Sequence, residues 1–262
     1  LRLFAEFIGN LPFQKVTMLD VEKFFTHCFT KRKNSAQTVS RKQNSLNKFF
    51  NTMIKREYFD MKNPLDKIEK VKFEPKPRGY LSKNEFRQLV KYLEDIQDKR
   101  GLAFVLLTYS SACRISEIIR LNRDSLDYER QQFMVLGKGQ RYRYCIFSAE
   151  AGQAVREYLA TRDDDYPALF YSREHSRLSK ESHERFLRKA AKAAGIRKRV
   201  FPHLLRHTRA MHLLEDGVPL DVIQRILGHK NIGTTQIYAV TSIEQAQKTV
   251  RNIDKENVWL DR

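Results

Sequence analysis

Apolar residues recur at spacings of three and four along most of this chain, which is the signature of helices with one buried face. Phe4, Phe7 and Ile8 share a first stripe, and Val21, Phe24 and Phe25 a second. Thr17 stands three residues ahead of Asp20, so the second helix is expected to open with a capping interaction. A third helix is predicted over about 35–58, with Val39, Leu46, Phe49, Phe50, Met53 and Ile54 on its buried side. Its opposite face carries Arg41, Lys42 and Lys48, either a solvated surface or a set of DNA-backbone contacts. Ser82 and Glu85 form a second capping-box pattern ahead of Phe86, Leu89, Val90 and Leu93, and 101–109 reads as a buried helix. From 125 to 147 the texture changes. Phe133, Val135, Tyr142, Tyr144 and Ile146 predict strands joined by a turn at Gly137-Lys138-Gly139. Helical spacing returns over 180–194, closed by Gly195, then from Pro202, and again through Leu220, Ile223, Ile226 and Leu227 up to Gly228. The expected fold is mainly α with a small antiparallel β-sheet.

Two prolines in Phe73-Glu74-Pro75-Lys76-Pro77-Arg78-Gly79 remove backbone donors and hold the chain extended, which marks a boundary. Two domains are expected: a helical domain over 1–74, a linker over 75–80, and a larger α+β domain over 81–262. The chain opens at Leu1 already inside an amphipathic pattern, so a further N-terminal portion is expected upstream.

Charge narrows the partner. The 262 residues hold 49 Lys+Arg against 31 Asp+Glu, a formal +18, which predicts a polyanion and nucleic acid above all. Both parts share the excess, with 15 basic and 8 acidic residues in 1–74 and 34 and 23 in the remainder. No apolar run approaches the roughly 18 residues needed to span a bilayer, and no leader of signal-peptide design opens the chain, so a cytoplasmic protein is expected. Cys28, Cys113 and Cys145 are odd in number and lack CxxC spacing; they read as reduced packing residues, with neither a disulfide framework nor a zinc site.

Five short stretches hold polar residues that composition does not explain. Arg114 follows an apolar helix, and Glu117 is placed to orient it, either as a functional pair or as a purely structural one. In Pro202-His203-Leu204-Leu205-Arg206-His207, the spacing sets His203 and Arg206 on one face of a helix start, where an anion is favoured. Taken singly, His203 is equally a core histidine, and His175, His183, His207 and His212 read as surface or packing residues. His229 comes just after the helix that ends at Gly228, and Tyr238 lies nine residues further on.

Taken together, A-C-R-I-S-E-I around Arg114, G-K-G around Lys138, H-L-L-R-H over 203–207, L-G-H ending at His229 and T-T-Q-I-Y ending at Tyr238 resemble the ordered signature of the tyrosine recombinases, the lambda-integrase or Xer-like family. The resemblance covers about 80–245, and 1–79 resembles the family's core-binding domain. One departure is Ala112-Cys113, where the family often has Gly followed by an aliphatic residue. The resemblance implies a site-specific DNA recombinase that cleaves through a 3′-phosphotyrosyl link and a Holliday junction. It makes Tyr238 the nucleophile, His203 an acid or base, Lys138 the general acid for the leaving 5′-oxygen and His229 a donor to the phosphate. Arg114 and Arg206 would hold the non-bridging oxygens with planar forks that lysine lacks. Neither ATP, a metal nor any other cofactor is implied.

Double-stranded DNA is the implied partner, with Arg41, Lys42, Lys48, Lys76 and Arg78 as candidate DNA contacts. The resemblance also implies a dimer on each site and a homotetramer at synapsis, joined through an exchanged C-terminal helix at about 243–262. Ile243, Ala246, Val250 and Ile253 have helical spacing there, and a helix closing its own domain is the simpler alternative. A type IB DNA topoisomerase shares much of the residue set and is the rival reading. Within the family, chromosome-dimer resolution competes with mobile-element integration or excision. A nucleoid-associated protein of the cytoplasm is expected either way.

Overall fold

A computed structural model describes residues 1–74, 79–137, 142–172 and 176–228. The chain divides into two compact units, Leu1–Pro77 and Arg78–Arg262. The fold class is the expected one: helices predominate, with one three-stranded antiparallel sheet.

The first unit holds α1 (Arg2–Ile8), α2 (Met18–Thr30) and α3 (Ala36–Lys55). Thr17 and Asp20 form the reciprocal capping box at the start of α2. Phe4, Val21, Phe24, Phe25, Val39, Leu46 and Phe50 close the core, with the Phe4 and Phe24 rings edge to face at 5.0 Å. Helix α3 stops earlier than its apolar spacing predicts, because Glu57 takes a left-handed φ of 61°. On its buried face sits Gln43, whose amide donates to the Glu69 carbonyl at 2.8 Å and accepts from the Val71 N–H at 2.9 Å. The side chain thereby pairs with the backbone as a neighbouring strand would, and it fixes the chain just before the prolyl segment.

The second unit is built around α5 (Lys99–Ser111), which packs against α4 (Lys83–Asp95), α7 (Ala149–Leu159) and α9 (Pro202–Glu215). Ser82 and Glu85 cap α4 as expected. Short α6 (Ile115–Ile119) leads to the sheet, in which β1 (Leu126–Asp127), β2 (Gln132–Leu136) and β3 (Tyr142–Ile146) run in order. Helices α8 (Lys180–Ala193) and α10 (Leu220–Leu227) are the remaining elements among the described residues of the unit. Phe133, Val135 and Cys145 face the core, while Met134, Leu136, Tyr142, Tyr144 and Ile146 are exposed on the other face. The tyrosines and isoleucine that reveal the strand are therefore not the residues it buries.

The start of the unit is fixed by buried polar pairs. Thr208 Oγ1 accepts the Leu81 N–H at 3.1 Å, and His212 spans the Leu81 carbonyl at 2.8 Å and the Tyr109 hydroxyl at 2.7 Å. A carbonyl only accepts, so Nε2 of His212 carries the proton and Nδ1 accepts from Tyr109. Burial lowers the pKa of this ring and agrees with the neutral form. His183 and His212 are both buried, and all three cysteines are free and buried.

Candidate active site

The Arg114 turn begins where α5 ends. Ala112 takes the left-handed conformation, φ 48° and ψ 29°, at a place where glycine is usual, and Arg114 then caps α6 in an extended conformation. Glu117 is 5% exposed and grips this turn from inside. Its Oε2 accepts the Arg114 backbone N–H at 2.8 Å, and its Oε1 accepts from Arg114 Nη1 at 3.1 Å. Burial acting alone would raise the carboxyl; the Arg114 backbone donor and the charges of Arg143 and Arg114 outweigh it and hold the group below its ordinary value. Glu117 is therefore ionised at neutral pH.

Helix α9 supplies the second arginine. Phe201 is extended and Pro202 occupies the first turn, where its missing N–H costs nothing. One turn on, Arg206 is buried; Nη1 donates to the Ala112 carbonyl and Nη2 to the Leu227 carbonyl, both at 2.6 Å. Burial, then the like charges of Arg114 and Arg143, pull the guanidinium down to about 10, so it remains protonated at neutral pH. His203, three residues earlier, is exposed. The protein mass around its ring, then the charges of Arg206, Lys180 and Arg114, still lower its pKa, which favours the neutral imidazole.

The end of α10 closes the site from a third side. The last carbonyls of a helix lack internal partners, and here Leu227 is answered by Arg206 while Ile226 accepts from Arg143 Nη1 at 3.2 Å. Arg143 comes from β3, opposite Val135, and its Nη2 also donates to Glu117 Oε2 at 2.9 Å. Gly228 ends the helix at φ 62°, and a Cβ there would lie 2.8 Å from Arg143 Cδ and Nε. Cys113 and Cys145 are both buried beside Arg143; burial pushes the Cys113 thiol up, and interaction with Cys113 lowers Cys145.

Two guanidiniums, of Arg114 and Arg143, thus meet one carboxylate, and a third, of Arg206, is buried near enough to feel their charge. At Arg206 the burial and the like charges of Arg114 and Arg143 are only partly offset by Glu117. An oxyanion bound among these arginines would offset the remainder, and a tetrahedral phosphate offers several acceptors to planar donor forks.

The structure brings together Arg114, Glu117, Arg206 and His203. Lys138, His229, Tyr238, Lys76, Arg78 and the segment 243–262 lie outside the described residues. Arg41 and Lys48 are exposed on α3. Lys42 departs from the expectation of a DNA-facing charge: its amine donates to Asn34 Oδ1 at 2.5 Å and to Cys28 Sγ at 3.4 Å, and it lies 5.8 Å from the Phe24 ring centre. That ammonium is spent holding α3 to the end of α2. Arg143 is the residue that sequence reasoning missed. Its signal was a guanidinium at an inward strand position, in register with Val135 and two residues from buried Cys145.

Residues 79–244 match the family described as the phage integrase family, and residues 1–60 match the phage integrase N-terminal SAM-like domain. A tyrosine recombinase XerA of Thermococcus onnurineus is 34% identical over 217 residues, covering 79% of this chain and 76% of that protein. A tyrosine recombinase XerC of Thermodesulfovibrio yellowstonii is 34% identical over 239 residues, covering 86% and 78%. Among solved structures, a XerA recombinase aligns with a TM-score of 0.60 at 26% identity over 95% of this chain and 88% of that one. The XerH recombinase bound to palindromic difH DNA after cleavage aligns with a TM-score of 0.77 at 18% identity, over 99% and 77%.

Proposed function

This chain belongs to the phage integrase family and is a tyrosine-type site-specific DNA recombinase, in which we propose that Arg114, Lys138, His203, Arg206, His229 and Tyr238 form the active site. The observation that supports these roles most directly is the cationic cluster around buried Arg206. Arg206 is locked by two carbonyls and crowded by Arg114 and Arg143, a preorganised seat for the charge that develops on phosphorus oxygens.

In the proposed reaction the Tyr238 oxygen attacks the scissile phosphorus. The phosphorus–O5′ bond breaks, a 3′-phosphotyrosyl bond forms, and Lys138 protonates the departing 5′-oxygen. A free tyrosine is only about 0.1% ionised at neutral pH. Neutral His203 would take the phenol proton, and the guanidiniums would favour the phenolate. His229 would donate to a phosphate oxygen. Attack by a 5′-hydroxyl of the partner strand reverses each step, so the phosphodiester energy is kept without ATP.

DNA contacts at Arg41 and Lys48, and at Lys76 and Arg78, fit a chain with this charge. A dimer on each site and a tetramer at synapsis, linked through 243–262, complete the proposed assembly. Relatives named XerA and XerC favour chromosome-dimer resolution over mobile-element integration or excision. Among the described residues no helix is long and apolar enough to cross a membrane, and work on DNA would place the protein with the nucleoid in the cytoplasm.

A nicked suicide duplex carrying the recombination site tests the nucleophile. The wild-type chain should accumulate a covalent protein–DNA adduct, whereas Tyr238→Phe should bind the site and form none. An adduct persisting in that variant would assign the nucleophile elsewhere. Product topology separates the rival chemistry: exchanged flanks mark a recombinase, and relaxation without exchange marks a topoisomerase.

A further inference from the structure

We propose that Arg143 is a positioning residue for strand cleavage, the strut through which β3 holds both the Arg114 turn and the end of α10 in register. The proposal rests on the active-site reading above and adds to it a residue outside that set.

Three contacts carry the argument. Arg143 Nη2 donates to Glu117 Oε2, the same oxygen that accepts the Arg114 backbone N–H, so the carboxylate cannot turn toward one partner without straining the other. Arg143 Nη1 donates to the Ile226 carbonyl, next to the Leu227 carbonyl held by Arg206. Its stem lies against Gly228, the residue preceding His229. One side chain on a strand therefore joins two segments that are far apart in sequence, each leading into a proposed phosphate-binding residue. Arg206 joins the same two segments through Ala112 and Leu227, so the two arginines act as parallel struts.

Exposure also separates Arg143 from Arg114. Its side chain is 18% exposed against 34% for Arg114, and among the described residues its Nε is buried with no partner. The terminal nitrogens of Arg143 are turned to the Glu117 carboxylate and the Ile226 carbonyl, so this guanidinium, unlike that of Arg206, is bound directly to the carboxylate that holds the Arg114 turn. Its influence on phosphorus would pass through Glu117 to Arg114, and through α10 and Gly228 to His229.

The test uses the full chain and single-turnover cleavage of the suicide duplex at saturating protein, with site binding measured separately. Arg143→Gln should slow cleavage by about tenfold or more while binding changes by less than about threefold. Arg143→Lys, which keeps a cation beside Glu117, should recover a substantial part of that loss. In the double variant Arg143→Gln with Glu117→Gln, the loss should not exceed that of the worse single variant, because both act through one contact. Wild-type cleavage in Arg143→Gln would overturn the proposal. So would a lysine variant that folds and binds yet recovers nothing, or losses that multiply in the double variant. If Arg143→Gln fails to fold, the lysine variant alone decides by the same cleavage-against-binding split. Failure here is distinct from failure of the active-site reading, because wild-type adduct that disappears in Tyr238→Phe keeps that reading whatever Arg143 does.

Discussion

Replacing Gly228 by alanine probes the junction of α10, Arg143 and the Arg114 turn with a single methyl group. Two penalties add at this position. The residue holds φ 62° and ψ 44°, a left-handed conformation that costs an alanine about 1–2 kcal/mol. Its Cβ would also sit 2.8 Å from Arg143 Cδ and Nε, mid-stem atoms that cannot yield without moving the guanidinium, an overpacking worth about 1–3 kcal/mol. The sum, about 2–5 kcal/mol, corresponds to a fall of roughly 5–15 °C in the melting of a unit this size. Gly195 supplies the control. It has φ 77° with nothing within 4 Å of its ideal Cβ, so Gly195→Ala carries the conformational penalty alone, about 1–2 kcal/mol. Calorimetry of both variants, paired with single-turnover cleavage, separates the two effects. Gly228→Ala should melt well below Gly195→Ala and should lose cleavage, because the displaced guanidinium leaves Glu117 and the Ile226 carbonyl. Equal melting shifts and equal cleavage in the two variants would refute the claim that Gly228 is held open by Arg143.

Two further outcomes are expected of the site. Arg206→Lys keeps a charge but loses the fork that spans the Ala112 and Leu227 carbonyls, so single-turnover cleavage should fall by about 10²–10³ while site binding stays within a few-fold; unchanged cleavage would remove Arg206 from the site. His203 has a pKa lowered from 6.5 by its surroundings and by Arg206, Lys180 and Arg114, so its neutral form persists at pH 7 and is lost only as pH falls through that lowered value. Cleavage that needs neutral His203 should therefore hold from pH 7 down past 6.5 and then decline, with the decline absent in His203→Gln at its lower rate. A midpoint above 6.5 would contradict the direction of the shift.

Local rules made most elements readable. Both capping boxes, at Thr17 and Ser82, involve residues three apart, and the stop at Gly228 rests on one residue's freedom at positive φ. Arg114 and Glu117 were legible as a pair for the same reason. What escaped depends on distant contacts. Arg206 and His203 share a helix face by spacing, yet one is buried and the other exposed, because the Ala112 carbonyl that receives Arg206 lies 94 positions away. Lys42 reads as a surface charge until Asn34 and Cys28 are seen to enclose its amine. Arg143 was hidden by its neighbours: Tyr142, Tyr144 and Ile146 draw attention to the alternate positions, and those positions face outward. Apolar alternation located the strand and pointed to the wrong side of it.

The Gln43 clamp has a consequence for how the two units meet one substrate. It fixes the chain at Val71, and among the described residues the chain is held again by the Lys198 amine on the Tyr80 carbonyl and by Thr208 on the Leu81 N–H. The tether between Val71 and Tyr80 therefore reaches no further than about 30 Å, at roughly 3.3–3.6 Å per residue. Were both units to grip one duplex, as proposed, the contour length alone would keep the second within that radius of the first, an effective concentration on the order of millimolar. Two grips joined in this way would hold more tightly than either alone, and lengthening the tether would dilute the second without altering a single contact.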